Sequence, residues 1–280
     1  MKKLLLTTAL MGKLVMTSLA HATFEAHRTD FDSQQDLQAW NQHEVGGWVS
    51  KVRSINVKDG KLVIEPKSSG WFEDMQAGHI YREVTGDFIL TTRIKVEGTN
   101  SEVPQTDFTL SGLFVRAPRD VTSANWTEGK ENWMFLSTGT AMPAGEPHYE
   151  IKTTQDSKSV LKILPGSTGW KQLRIVRSGH IFYLMAKDEG ASEWAFLDEF
   201  IRPDLPQTLN VGLTAYADWT SASKIYPDFK TLNEKGPGID KGDLRAHVDW
   251  IEVKPFVRPE GQFPVLATAN PEMIRALTAK

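Results

Sequence analysis

In the run His148-Tyr149-Glu150-Ile151-Lys152, an imidazole, a carboxylate and an ammonium occur at every second residue. In a β-strand this spacing puts all three on one face, because side chains alternate. Thr214 and Tyr216 share a face of another apolar run, with Asp218 and Trp219 just beyond it. Arg116 ends a third run, and Asn132, on the same face as Met134, opens a fourth. His148, Glu150 and Tyr216 are the catalytic candidates, as acid or base, and Arg116 could neutralise a sugar carboxylate in a lyase reaction. The same polar set could instead hold a sugar without chemistry, or satisfy itself as an internal network. No Gly-x-Ser-x-Gly elbow, His-Glu-x-x-His helix or phosphate-cradling glycine loop accompanies it.

Tryptophan is abundant, with 9 in 280 residues. Trp126 and Trp219 fall in two long loops, 118–131 and 218–244, and suit a stacking platform for sugar rings. Trp48 and Trp71 are lesser candidates. Trp40, Trp133, Trp170, Trp194 and Trp250 lie in strand or helix patterns and are expected in the core. The ligand-binding candidates are therefore Arg116, Trp126, Asn132, Glu150, Lys152, Tyr216, Asp218 and Trp219.

The elements that must position them are short strands. Lys61–Glu65 follows the turn pair Asp59-Gly60. From Asp87 to Val96 the chain alternates, with Phe88, Leu90, Thr92, Ile94 and Val96 on one face. Further strands are expected at Phe108–Ala117, Asn132–Ser137, Tyr149–Thr154, Leu173–Arg177, Ile181–Lys187 and Leu209–Tyr216. Ala246–Pro255 closes the set, with Val248, Trp250 and Glu252 alternating against His247, Asp249, Ile251 and Val253. One short helix is expected near Gln34–Trp40, and another at the end, where Asn270 could cap and Pro271 fits the first turn. No sustained helical periodicity appears between residues 44 and 258. Many strands with little helix imply a two-sheet sandwich or a barrel. We expect one domain over 23–257, then a tail over 258–280.

Composition removes several function classes. There is no Cys, which excludes disulfides, Cys-ligated metal sites and thiol nucleophiles. A net charge of −3 without a basic run argues against nucleic-acid binding. Residues 1–22 read as a signal peptide: Lys2 and Lys3, an apolar run from Leu4 to Met11, then Ala20-His21-Ala22. A periplasmic or secreted location follows as an expectation. No later segment has the about 18 uninterrupted apolar residues that a membrane span needs.

Several segments together carry a resemblance. In order they are Val84-Thr85-Gly86-Asp87-Phe88-Ile89-Leu90, Ser111-Gly112-Leu113-Phe114-Val115-Arg116 and Glu131-Asn132-Trp133-Met134-Phe135-Leu136. Gly169-Trp170-Lys171-Gln172-Leu173-Arg174-Ile175, Val211-Gly212-Leu213-Thr214-Ala215 and His247-Val248-Asp249-Trp250-Ile251-Glu252-Val253 complete the series. Over roughly residues 70–255 this order resembles the concanavalin A-like lectin/glucanase superfamily. It is similar to secreted bacterial domains like the β-sandwich that follows the catalytic propeller in family-43 glycosidases. The resemblance implies an all-β jelly roll of two antiparallel sheets, with carbohydrate on the concave face and rim loops.

The superfamily hosts lectins, hydrolases, lyases and inert spacers. Its glucanases carry an E-x-D-x-x-E strand, which this chain lacks; the acids of Glu193 to Glu199 have the wrong spacing. The Gln-x-His and Tyr-x-Lys signatures of jelly-roll alginate lyases are also absent. In related glucanases the Asp of a C-terminal strand helps hold a structural calcium. Asp249 matches that position, and Asp32, or else Asp30, could add an oxygen. An Arg partner for Asp249 is the competing expectation, and no cofactor is required. The reading is an exported carbohydrate-binding protein whose partner is an oligo- or polysaccharide. The alternatives are a polysaccharide lyase or glycoside hydrolase, and a non-catalytic envelope protein that docks a protein through Phe263, Val265, Leu266, Met273 and Ile274 of its tail.

Overall fold

The computed structural model describes residues 24–257 together with 277–278. The signal-peptide reading, the helix at Asn270 and most of the tail lie outside these residues.

Two antiparallel sheets face each other. The seven-stranded sheet contains β2 (Asn41–His43), β5 (His79–Thr85), β7 (Thr109–Arg116), β8 (Trp133–Thr140), β9 (His148–Gln155), β10 (Lys158–Pro165) and β14 (Thr208–Tyr216). Its order is β10-β9-β8-β7-β14-β5-β2. The second sheet contains β3 (Val52–Lys58), β4 (Lys61–Pro66), β6 (Phe88–Glu97), β11 (Lys171–Ser178), β12 (Ile181–Asp188), β13 (Ala195–Ile201) and β15 (Arg245–Pro255). It runs β13-β12-β11-β6-β15-β4-β3, and β1 (His27–Thr29) pairs with β15. The expected helix near Gln34 is α1 (Gln34–Leu37), closed by a capping box of Ser33 and Asp36.

Period-two alternation sends one side of each strand inward. Leu113, Val115, Met134, Leu136, Ile151, Val211 and Leu213 meet Leu90, Ile94, Leu173, Ile175, Leu184 and Val248 in the inter-sheet core. The expected alternation of the last strand fails at one residue. A β-bulge between Val248 and Trp250 shifts the register, so Val248, Ile251 and Val253 all point into the core. Asp249 is the extra residue.

Loop 218–244 is not structureless. It holds α2 (Trp219–Ala222) and α3 (Phe229–Lys235), each too short to produce a periodic signal. The tryptophans expected in the core divide. Trp40 is buried in the inter-sheet core. Trp133 is buried on the outer face of the seven-stranded sheet. Trp170, Trp194 and Trp250 are partly exposed, and each lies under a guanidinium at 4.2–4.3 Å, from Arg93, Arg174 and Arg28 respectively. On the outer face of the second sheet, Leu277 of the tail packs with Val176, Tyr183 and Phe256, and its carbonyl accepts from Arg174 at 2.8 Å.

Candidate functional site

The outer face of the seven-stranded sheet is covered by the chain itself. Segment 67–78, between β4 and β5, crosses it. Trp71 fills the centre, 4.6 Å from the Phe114 ring and 5.9 Å from the Trp133 ring. Its indole N–H donates to Thr214 Oγ1 at 2.9 Å. Beneath it, two glycines stand where a side chain would strike the backbone of the neighbouring strand. A Cβ on Gly112 would stand 2.1 Å from the Leu136 carbonyl oxygen, and one on Gly212 would stand 2.0 Å from that of Ile80. Further along, Ser157 Oγ donates to Asp74 at 2.6 Å, and Glu73 N donates to Ser159 Oγ at 2.7 Å. From above, Asn233 of α3 accepts from Gln76 N and donates to the Asp74 carbonyl, both at 2.9 Å.

Two buried ion networks flank Trp71. The first joins β9 to β14. Lys152 Nζ donates to Tyr216 OH at 2.6 Å and to the Trp71 carbonyl at 2.9 Å, and pairs with Glu150 Oε1 at 2.9 Å. The Tyr216 hydroxyl donates to Glu150 Oε2 at 2.6 Å. Burial pushes the Tyr216 phenol well above its ordinary value, and the Glu150 charge pushes it further, so the phenol keeps its proton. Burial lowers the Lys152 ammonium, and Glu150 opposes that. His148 shares this face but makes no hydrogen bond to the trio; its Nδ1 accepts from Ala141 N at 3.2 Å.

The second network centres on Glu131. Arg116 grips it with two bonds of 3.0 and 3.1 Å, Gln76 donates at 2.8 Å, and Arg119 also pairs with it. Burial alone would raise the Glu131 carboxyl, but the two guanidiniums hold it below 4.5. Arg116 is therefore consumed internally. Next to it, burial and the Arg116 charge keep His79 neutral and lower His43 to about 4.

Other candidates stand apart. The Asn132 amide faces away from this surface and accepts from Asp156 N at 2.9 Å, fastening the β9–β10 turn. Asp218 caps α2 by accepting from Ser221 N, and takes a second bond from Ser68 Oγ at 2.6 Å. Trp126 packs edge-on against Trp48, 5.6 Å between rings. Trp219 packs edge-on against Phe72 at 5.7 Å and Tyr226 at 5.4 Å.

Trp219 also lines a cavity of about 220 Å³ beside the cover. Trp71, Phe72, Met75, Phe108 and Leu161 complete its walls, and Lys152 and Tyr216 form its floor. Of the site candidates, then, Lys152, Tyr216 and Trp219 meet around one cavity, with Glu150 bonded beneath. Phe72, Met75, Phe108 and Leu161 escaped the sequence reading, as did the Glu131 hub. The adjacent aromatic pair Trp71-Phe72 behind Ser68-Ser69-Gly70 was the available signal.

No protein-family model matches the sequence, and no curated protein matches it. Solved structures do. The chain aligns with a functionally unknown protein from Saccharomyces cerevisiae at 13% identity and TM-score 0.54, covering 79% of this chain and 99% of that one. A basic winged bean lectin solved with Tn-antigen aligns at 11% identity and TM-score 0.51, over 81% and 97%. This chain has the concanavalin A-like jelly-roll fold. The jelly roll also aligns with a xylan β-1,4-xylosidase from Bacillus halodurans at 14% identity and TM-score 0.54, covering 81% of this chain but only 38% of the enzyme. At these identities the likeness is one of fold.

The residues named for calcium do not by themselves make a calcium site. Asp249 accepts from Arg93 at 2.8 Å, Asp32 is exposed, and no cluster of three or more His, Asp or Glu exists among the described residues. Calcium needs six to eight oxygens, so this donor set does not fit it. Nor does any helix among the described residues have the length and apolarity to cross a membrane.

Proposed function

We propose that the protein is an exported carbohydrate-binding jelly roll that holds a glycan at the aromatic cavity beside Trp219. The carrying observation is the cavity itself, walled by Trp71, Phe72 and Trp219 at the rim of the seven-stranded sheet. Aromatic faces carry negative charge density and match the apolar, slightly positive C–H faces of sugar rings. The leader-like residues 1–22 support export. The engagement of Lys152 and Tyr216 by Glu150 and the Trp71 carbonyl supports binding over catalysis, because their protons are aimed at these internal partners and not into the cavity.

Isothermal titration against plant, algal and bacterial polysaccharides tests this reading. Trp219→Ala should weaken glycan binding by about 1 kcal/mol, roughly fivefold, if stacking matters. Unchanged affinity would remove the platform. An enzyme remains the second reading, because two acid–base groups, Lys152 and Tyr216, touch the cavity. Mass spectrometry separates the two. New oligosaccharides that vanish in Glu150→Gln would make the protein an enzyme, with unsaturated products marking a lyase and hydrated ones a hydrolase.

A further inference from the structure

The cavity beside Trp219 is apolar in a way that a bare sugar ring does not use. Its walls are Trp71, Phe72, Met75, Phe108, Leu161 and Trp219. The polar side-chain groups of its floor and of Ser69 are already engaged. Lys152 Nζ meets the Trp71 carbonyl, the Tyr216 hydroxyl and Glu150 Oε1. The Tyr216 hydroxyl gives its proton to Glu150, and Ser69 Oγ gives its own to the Lys67 carbonyl. A sugar hydroxyl pushed inside would leave water for walls that are almost wholly apolar, which is unfavourable.

An aromatic ring has no such need. An apolar cavity of about 150 Å³ is large enough to hold benzene. The cavity here measures about 220 Å³, room for one ring and a few atoms more. Phe72 and Trp219 pack edge-on against each other at 5.7 Å and both line the cavity, so an entering ring meets a continuous aromatic wall.

We infer that this pocket takes a single aromatic ring carried on a saccharide as an ether or ester substituent, while the sugar rests outside against Trp219. This inference rests on the carbohydrate-binding reading for its sugar half only. The test titrates the full mature chain with p-nitrophenyl and methyl β-glycosides of glucose, galactose and xylose, and with p-nitrophenol alone. For at least one sugar the aryl glycoside should bind tenfold or more tightly than the methyl glycoside, and its nitrophenyl group should quench tryptophan fluorescence. Leu161→Trp fills the pocket from edge strand β10 and should bring aryl affinity down to the methyl value at an unchanged melting temperature. If that variant does not fold, the wild-type quenching still decides.

Methyl glycosides binding as tightly as aryl ones would overturn the inference and leave the glycan reading standing. Binding of p-nitrophenol to which no sugar adds affinity would overturn the glycan reading and the sugar half of the inference. No binding by any of the probes would overturn both.

Discussion

Two ion networks lie buried on one face of the same sheet, on either side of Trp71, and they are built for different ends. The Glu131 hub has two guanidiniums on one carboxylate, and it ties together three separate stretches: the end of β7, loop 118–131 and the covering segment through Gln76. The Glu150 trio has one cation, one carboxylate and one neutral phenol, all from two strands of the rigid sheet, and it touches a cavity. The hub latches two loops through their side chains, whereas the trio is set in the sheet and reaches the cover only through the Trp71 carbonyl. Burial is similar in the two, so exposure alone does not separate a structural ion pair from one that faces a ligand. The segments that each network joins do separate them.

Breaking the hub should have the largest effect. Glu131→Ala leaves Arg116 buried without a counter-ion, at a cost of about 3–5 kcal/mol. Glu131→Gln should cost less, because the amide oxygen still accepts from Arg116. Urea denaturation measures both, and limited proteolysis should cut loop 118–131 sooner in the Ala variant. A loss below about 1 kcal/mol would mean that the hub does not hold the cover.

Acid should reveal the same region. Glu131 has a depressed pKa in the fold, so its stabilisation is present above 4.5 and is lost as pH falls through the folded value. His43 is lowered from 6.5 to about 4 by burial and Arg116. His79 is held still lower by burial and the same charge, so the unfolded chain binds protons first as pH drops and stability declines below 6.5, with the His43 share exhausted by about 4. Melting temperature should fall progressively below pH 6.5, and His43→Gln should make that fall shallower, with the His79 share remaining. An unaltered profile in that variant would remove His43 from the account.

Within the trio the effect should be smaller. Tyr216→Phe removes one hydroxyl that bonds both charges but leaves the Lys152–Glu150 pair intact, for a cost of about 1.5–3 kcal/mol. A loss as large as that from Glu131→Ala would mean that the two networks are not different in kind.

The sheet framework was legible because alternation is a local signal. His148, Glu150 and Lys152 share a face, as do Thr214 and Tyr216, whatever lies above them. What covers that face was not legible. Trp71 bonds to Thr214, and Ser68 to Asp218, across more than a hundred residues of chain. No spacing rule reaches that far. Asp218 looked like a loop ligand because a helix cap and a ligand use the same carboxylate chemistry. In β15, a single inserted residue reversed the inside–outside phase, which period-two reasoning cannot foresee.

That inserted residue supplies the smallest expected effect. Asp249 sits at the bulge, and its carboxylate meets an Arg93 that also bonds Glu189 at 2.6 Å and stacks on Trp170 at 4.3 Å. Arg93 thus keeps two partners when Asp249 is lost. The Arg93–Asp249 pair is also partly exposed, with side chains at 25% and 31%, so water screens it. Asp249→Ala should therefore cost no more than about 1 kcal/mol, and less at high salt. A chelator should leave the melting temperature of the parent unchanged. A fall of several degrees on chelation, abolished in Asp249→Ala, would mean that a cation displaces Arg93 and that this corner of the second sheet is a metal site after all.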